Sequence, residues 1–264
     1  ADSELSVASG YTLELSQDGG LSLGANTLTL SGGGTLDSGG LDLNNADSKL
    51  LLNSITVDSV STSLASLGID VDADSTVTSL TVAHTTPVSI ASGKTLSGAI
   101  TVTAGSIKLG EAGTLASTVS MSGGTLDIDE TMTLSGALTQ GGAITIDVAE
   151  DKTLTYSGAS LSLGAYTLTI SGGGTLSNTN AFVLNHSSSK LLLDSITVGK
   201  VSTSADNSGL DVDDDSTVSS FTVTQTSPVS IASGKTLSGA ITVSAGSSIK
   251  LDEAGTLGST VSMS

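Results

Sequence analysis

The chain has no cysteine, no tryptophan and no arginine, and its 264 residues include only two prolines, three tyrosines and two phenylalanines. Without cysteine there is no disulfide framework, which fits an exported protein that does not rely on one. With so few rings, the core must be built from small and branched aliphatics. Positive charge is also scarce: eight lysines face 26 acids, for a formal net charge of −18. That field repels phosphates and anionic head groups, and so argues against nucleic-acid binding and electrostatic membrane docking. No apolar run approaches the roughly 20 residues that cross a bilayer, so no membrane insertion is expected. The opening "ADSELSV" is not a signal peptide; it reads as a mature end after cleavage or as a cut point. Hydrophobic residues nevertheless reach 37% and recur in strict alternation, unlike a disordered chain.

The dominant signal is repetition. "LSLGANTLTLSGGGTL" (21–36) recurs as "LSLGAYTLTISGGGTL" (161–176), "PVSIASGKTLSGAITV" (87–102) recurs at 228–243, and "EAGTLASTVSMS" (111–122) recurs as "EAGTLGSTVSMS" (253–264). The offset drifts from 140 to 142, giving a first block 1–122, a connecting coil 123–143 and a second block 144–264. A shorter period sits inside each block. Residues 87–143 divide into ungapped nineteens that align Val88, Ile107 and Leu126; Ile90, Leu109 and Ile128; Leu96, Leu115 and Leu134; and Ile100, Val119 and Leu138. Elsewhere the spacing loosens to about 20–22 residues, with Gly, Ser, Asp and Ala at the corners.

Short alternating strands on this period, with no helical pattern, predict an all-β, single-stranded parallel β-solenoid (β-helix) of 19–22 residues per coil, internally duplicated. A coil cannot bury its own apolar edge, and the next coil removes that edge from water. About thirteen coils fit the chain, a rod of roughly 60 Å at the ~4.8 Å strand spacing. A pair of β-sandwiches is the competing architecture, but ungapped nineteen-residue columns are not expected of one. Pro87 and Pro228 are copies, each read as opening a coil at a corner where no ladder donor is lost.

Two stretches carry aspartate at every second position: "IDVDADST" (69–76) and "LDVDDDST" (210–217). Ile69, Val71, Leu210 and Val212 are the inward residues, so Asp70, Asp72, Asp211 and Asp213 point outward, and Asp74 and Asp215 fall in the corner that follows. A solvated strand face explains all six. Calcium is the alternative cofactor, because D-x-D-x-D opens an EF-hand loop. Here, however, Ser75 stands where that loop needs glycine and Thr81 where it needs glutamate, and the calcium β-roll nonapeptide is absent.

No enzyme is expected. The lysines are scattered singly, and Lys49/Lys190, Lys94/Lys235 and Lys108/Lys250 are copies, as on a repeating surface. Aromatic platforms for a sugar are lacking, and no G-x-S-x-G elbow is present. His84 and His186 are not copies and have no partner histidine nearby. "SGGGTL" lacks the lysine of a phosphate loop and suits a coil corner, while "NHS" (185–187) is a lone sequon. An ice-binding threonine face is too irregular in 87–143, where one outward column reads Ser89, Lys108, Asp127 and another reads Thr101, Ser120, Thr139.

The pattern "GGTLDI…TLSGALT…GAITI…KTLTYSGASLSLGAYTLTISGGGTL" resembles the Ser/Thr/Gly/Leu-rich passenger repeats of bacterial autotransporters and large surface adhesins. That resemblance implies secretion to the cell surface or beyond, a solenoid stalk and a mechanical or adhesive role. It transfers no functional residue. With strand pattern running from Leu5 to Met263 and no recognisable cap, the chain reads either as a piece of a longer repeat protein or as a subunit whose expected partner is a further copy, stacked end to end into a filament.

Overall fold

A computed structural model describes residues 2–15 and 20–264. Among these residues there is no helix, and the chain forms a parallel β-solenoid of about 12 turns. It divides into two compact units, Ala1–Ala137 and Leu138–Ser264. The division falls inside the connecting coil read from the sequence.

In the first unit, one wall stacks strands Ser3–Ser6, Thr27–Ser31, Lys49–Asn53, Gly68–Val71, Thr86–Ile90, Ser106–Leu109 and Thr125–Ile128, each parallel to the next. The other wall runs through Thr35–Asp37, Thr56–Thr62, Ser75–Val82 and Thr95–Val102. It then splits into Thr114–Leu115 and Thr118–Met121, and the former is followed by Met132–Leu134. Alternation sends every second side chain inward, and the register stacks like on like. One column reads Leu30, Leu52, Val71, Ile90 and another Leu41, Val60, Leu80, Ile100, Val119; all are buried.

The second unit repeats this plan with Ile144–Val148, Thr167–Ser171, Lys190–Leu193, Gly209–Val212, Ser227–Ile231 and Ile249–Leu251 on one wall. Its other wall includes Thr175–Asn178, Thr197–Thr203, Ser216–Val223, Thr236–Val243 and Thr256–Met263. Here the scarce rings do join the core. Phe182 and Phe221 occupy the positions of Leu41 and Leu80, in a column Phe182, Val201, Phe221, Ile241, Val261 that sets rings against smaller neighbours. Tyr156 packs 6.0 Å from the Phe182 ring, its hydroxyl donating to the Ala159 carbonyl (2.6 Å) and accepting from the Leu138 N–H (3.1 Å). Burial pushes that hydroxyl above its ordinary 10.0, against the pull of the Leu138 N–H.

The "SGGG" corners are built alike in both units. Gly32 and Gly33 (φ 104° and 77°) match Gly172 and Gly173 (107° and 83°), the left-handed region that glycine enters freely. The third glycine is needed for space: a Cβ on Gly34 would lie 2.5 Å from the Ala8 carbonyl oxygen, and one on Gly174 would lie 2.4 Å from that of Ala149.

Two details depart from the sequence reading. The nineteen-residue columns hold on one wall, where Leu96, Leu115 and Leu134 align and Ile100 meets Val119. On the other wall Thr86 stands opposite Ile107 and Val88 opposite Leu109, two residues out of that alignment. A shift of two preserves which side chains face inward, so pattern alone does not detect it. The following corner takes it up: Val88 and Thr95 are seven positions apart and their partners Leu109 and Thr114 five, and there a Cβ on Gly113 would lie 2.4 Å from Ile90 Cγ2. The copy repeats both features, with Val229 opposite Leu251 and Ile231 over Gly255. Pro87 and Pro228, meanwhile, lie second in their strands and not at a corner. Pairing of Thr86–Ile90 to the preceding coil starts only at Val88, so Pro87 leaves no donor missing there.

Candidate functional site

The six aspartates are half-buried or exposed, Asp74 and Asp215 in the corner after the strand, and they divide into three separate jobs. Asp70 pairs with Lys49 of the preceding coil (Nζ–Oδ2 2.6 Å), and its copy Asp211 pairs with Lys190. Asp74 accepts the Thr95 N–H of the next coil at 2.8 Å, and Asp215 accepts that of Thr236 at 2.7 Å. Asp72 and Asp213 stand exposed. Each engaged carboxylate thus clips one coil to a neighbour. Among the described residues no group of three or more His, Cys, Asp or Glu side chains is placed to hold a metal ion.

These clips are additions to the ladder, not its source. The Lys49 and Asp70 side chains are about a third exposed (32% and 29%), and ion pairs of that kind contribute roughly 0.2–1 kcal/mol. An acceptor that satisfies a backbone N–H at a strand start contributes about 1 kcal/mol. Asp74→Ala therefore lowers stability by about that amount, while Asp72→Asn leaves the denaturation midpoint unchanged with or without calcium. Denaturant titrations of both variants at fixed calcium check this. A midpoint that rises with calcium in the parent and not in Asp72→Asn would instead establish a calcium site.

One charge pair of the second unit joins residues whose copies do not form an ion pair. Lys235 Nζ lies 2.6 Å from Asp214 Oδ1, whereas the equivalents of these residues are Lys94 and Ala73. The Lys235 ammonium hydrogen bond holds the Asp214 carboxyl below its usual 3.8, assisted by the Asp215 N–H. A carboxyl whose folded value is depressed binds its proton more readily when unfolded. Its contribution is complete above the ordinary carboxylate range and is lost as pH falls through the lower, folded value. The difference in melting temperature between the parent and Asp214→Asn should therefore be constant at neutral pH and vanish in acid. A difference that persists below the folded value would contradict the pairing.

Two residues singled out in the sequence turn out to be structural. The Nδ1 of His186 accepts the Ser188 N–H at 3.0 Å, doing what Asn45 Oδ1 does for the Asp47 N–H at 3.0 Å. The sequon residue Asn185 accepts the Gly164 N–H (2.8 Å), as its copy Asn44 does that of Gly24 (3.0 Å). A third motif is polar and buried: Ser48 Oγ donates to the Gly24 carbonyl (2.6 Å), and Ser189 does the same to Gly164. The Asn44/Asn185 and Ser48/Ser189 contacts join neighbouring coils, and both residues are duplicated in the sequence.

The first unit has an open groove of about 400 Å³ floored by Ser54, Thr56, Asp74, Thr76, Thr95 and Ser97. It brings one carboxylate among hydroxyls and has no histidine, second acid or lysine in its lining, so it assembles no proton-transfer pair. Its Thr56, Thr76 and Ser97 belong to an outward column that the 87–143 blocks did not reveal: Thr12, Thr35, Thr56, Thr76 and Ser97 in register. The second unit has the matching column Thr153, Thr175, Thr197, Thr217 and Ser238. Most of these hydroxyl residues are half-buried.

The last described coil differs from its copy in coverage. Leu109, Val119 and Met121 are 1%, 0% and 1% exposed, whereas Leu251, Val261 and Met263 are 54%, 45% and 74% exposed. The sequences are nearly identical; in the first unit Leu109 pairs with Ile128 of the next strand, whereas the second coil holds the last described residues. No helix among the described residues is long and apolar enough to cross a membrane. No protein family model, curated protein or solved structure matches the chain.

Proposed function

We propose that this is a structural protein, a secreted or cell-surface β-solenoid whose coils stack end to end as a filament or sheath subunit or an adhesin stalk. The observation that supports the reading most directly is the stacking of inner columns, Leu41, Val60, Leu80, Ile100 and Val119 in one unit and Phe182, Val201, Phe221 and Ile241 in the other. Coils stacked in this way present edges that pair with a further coil. The inner columns supply stiffness, and the duplicated polar groups clip coil to coil where an active site would occur only once. In this reading the chain is not an enzyme and does not bind nucleic acid, consistent with its charge of −18. The style-level likeness to autotransporter passengers and surface adhesins agrees with it.

Electron microscopy and sedimentation at rising protein concentration test the proposal. Unbranched filaments that lengthen with concentration are expected. A chain that stays dispersed at every concentration would overturn self-stacking.

A binding module is the second reading, and the threonine columns favour it. A repeated outward row of one residue type is what a surface- or glycan-binding face requires, with calcium as a candidate accessory through Asp70, Asp72, Asp74, Asp211, Asp213 and Asp215. Retention on insoluble polysaccharide that is lost in Thr56→Lys/Thr76→Lys, with assembly unchanged, would establish it.

A further inference from the structure

The groove of the first unit is built by its corners. Two residues, 54–55, join Lys49–Asn53 to Thr56–Thr62, whereas four, 91–94, join Thr86–Ile90 to Thr95–Val102. Short corners set beside a longer one leave a notch, and Ser54 makes the shortest by entering the left-handed region (φ 56°). The hydroxyls of Ser54, Thr56, Thr76, Thr95 and Ser97 make no hydrogen bond within the described residues, so the fold makes no use of them. Asp74 gives Oδ1 to the Thr95 N–H and keeps Oδ2 as an acceptor. The second unit has the same residue at all six positions: Ser195, Thr197, Asp215, Thr217, Thr236 and Ser238. Ser195 again has a positive φ (53°), and Asp215 again accepts the Thr236 N–H. Neighbouring positions differ: Asn53, Asp58, Ser59 and Ala73 correspond to Asp194, Gly199, Lys200 and Asp214.

We infer that this hydroxyl-lined floor and its copy are two binding sites for an uncharged, unbranched polysaccharide chain laid across the coils. The chemistry of the lining selects that class. An anion would meet the Asp74 carboxylate and a net charge of −18. A metal cation would find a single carboxylate, and Lys94, exposed beside Thr95, opposes a second positive charge. An apolar ligand would strip water from five hydroxyls and return no hydrogen bond. Hydroxyls that both donate and accept, repeated at the ~4.8 Å coil spacing, suit a ligand that offers the same groups along its length. The volume of about 400 Å³ falls within the roughly 300–1,000 Å³ of ligand sites. The inference deepens the binding reading and rests on it in taking the outward hydroxyls as a recognition surface.

An amide chemical-shift titration of the isotope-labelled full chain tests it, with cellohexaose, mannohexaose and xylohexaose as uncharged probes and hexagalacturonate as the charged one. At least one uncharged probe should shift the amides of Thr56 and Thr76 and those of Thr197 and Thr217, saturably, while hexagalacturonate should not. Thr76→Val should weaken the first-unit site by about tenfold and leave the second-unit site unchanged. Valine keeps the β-branched shape and removes only a hydroxyl the fold does not use, and an unchanged melting curve confirms that. No shift with any uncharged probe, equal shifts with hexagalacturonate, or binding indifferent to Thr76→Val overturns the inference. If the chain is retained on insoluble polysaccharide while no soluble probe shifts either floor, the groove sites are refuted and the surface-binding reading stands. If a probe fills both floors while the chain is not retained, the groove sites stand and surface binding falls.

Discussion

Gly98→Ala should lower stability by about 3 kcal/mol or more, among the largest effects of any alanine substitution in this chain. Gly98 stands at φ 123°, a region closed to L side chains, and an added Cβ would lie 1.7 Å from the Val77 carbonyl oxygen. Backbone must move to relieve that contact, because the obstacle is a carbonyl and not the end of a flexible side chain. The position is a bulge. Val77 pairs with Gly98 and Ser79 with Ala99, so Thr78 is the unmatched extra residue and the strand bends there. The second unit repeats the device at Gly239, with the same φ of 123° and the same 1.7 Å approach to Val218. Gly239→Ala should therefore cost a similar amount. Gly110→Ala is the control: its φ is not positive, its nearest contact would be Ser89 Oγ at 3.7 Å, and it should be close to neutral. Denaturant unfolding followed by circular dichroism ranks the three. Equal midpoints for Gly98→Ala and Gly110→Ala would show that the bulge is not held as described.

The second large effect concerns pairs of copies that differ only in coverage. Leu115→Asp puts an unpaired carboxylate into a site that is 0% exposed and should cost several kcal/mol, disrupting its coil. Met121→Ala should cost about 2–5 kcal/mol because Met121 is 1% exposed between coils. Met263→Ala, the same substitution in the copy, should be near neutral in the monomer, since that side chain is 74% exposed. Melting curves of the two methionine variants at low concentration make the comparison. Equal losses would mean that burial by the following coil is not what stabilises the ladder.

The architecture was legible because its cause is periodic. Alternation identified the inward residues Ile69, Val71, Leu96, Leu115 and Ile100, and all are buried. The register of Thr86–Ile90 was not legible: a two-residue slip keeps every side chain on its proper face, and corner length absorbs it without changing the pattern. The ring-filled core of the second unit was hidden for a related reason. Phe182 and Phe221 replace leucines in the copy, so apolar pattern treats them as equivalent, and volume becomes visible only once columns are stacked. For the aspartates, outward orientation followed from alternation. Their division into Lys49–Asp70 pairs and Asp74–Thr95 caps depends on which coil lies next to which, and a single strand does not encode that.

The account depends on one claim: each coil is completed by the coil that follows it. Amide hydrogen exchange at two equivalent positions tests that claim most directly. The Val119 N–H donates to the Ala137 carbonyl of the next coil at 2.8 Å, whereas the Val261 N–H belongs to the edge strand. In dilute solution Val119 should exchange at least about a hundredfold more slowly than Val261. Equal protection of the two amides would contradict the account.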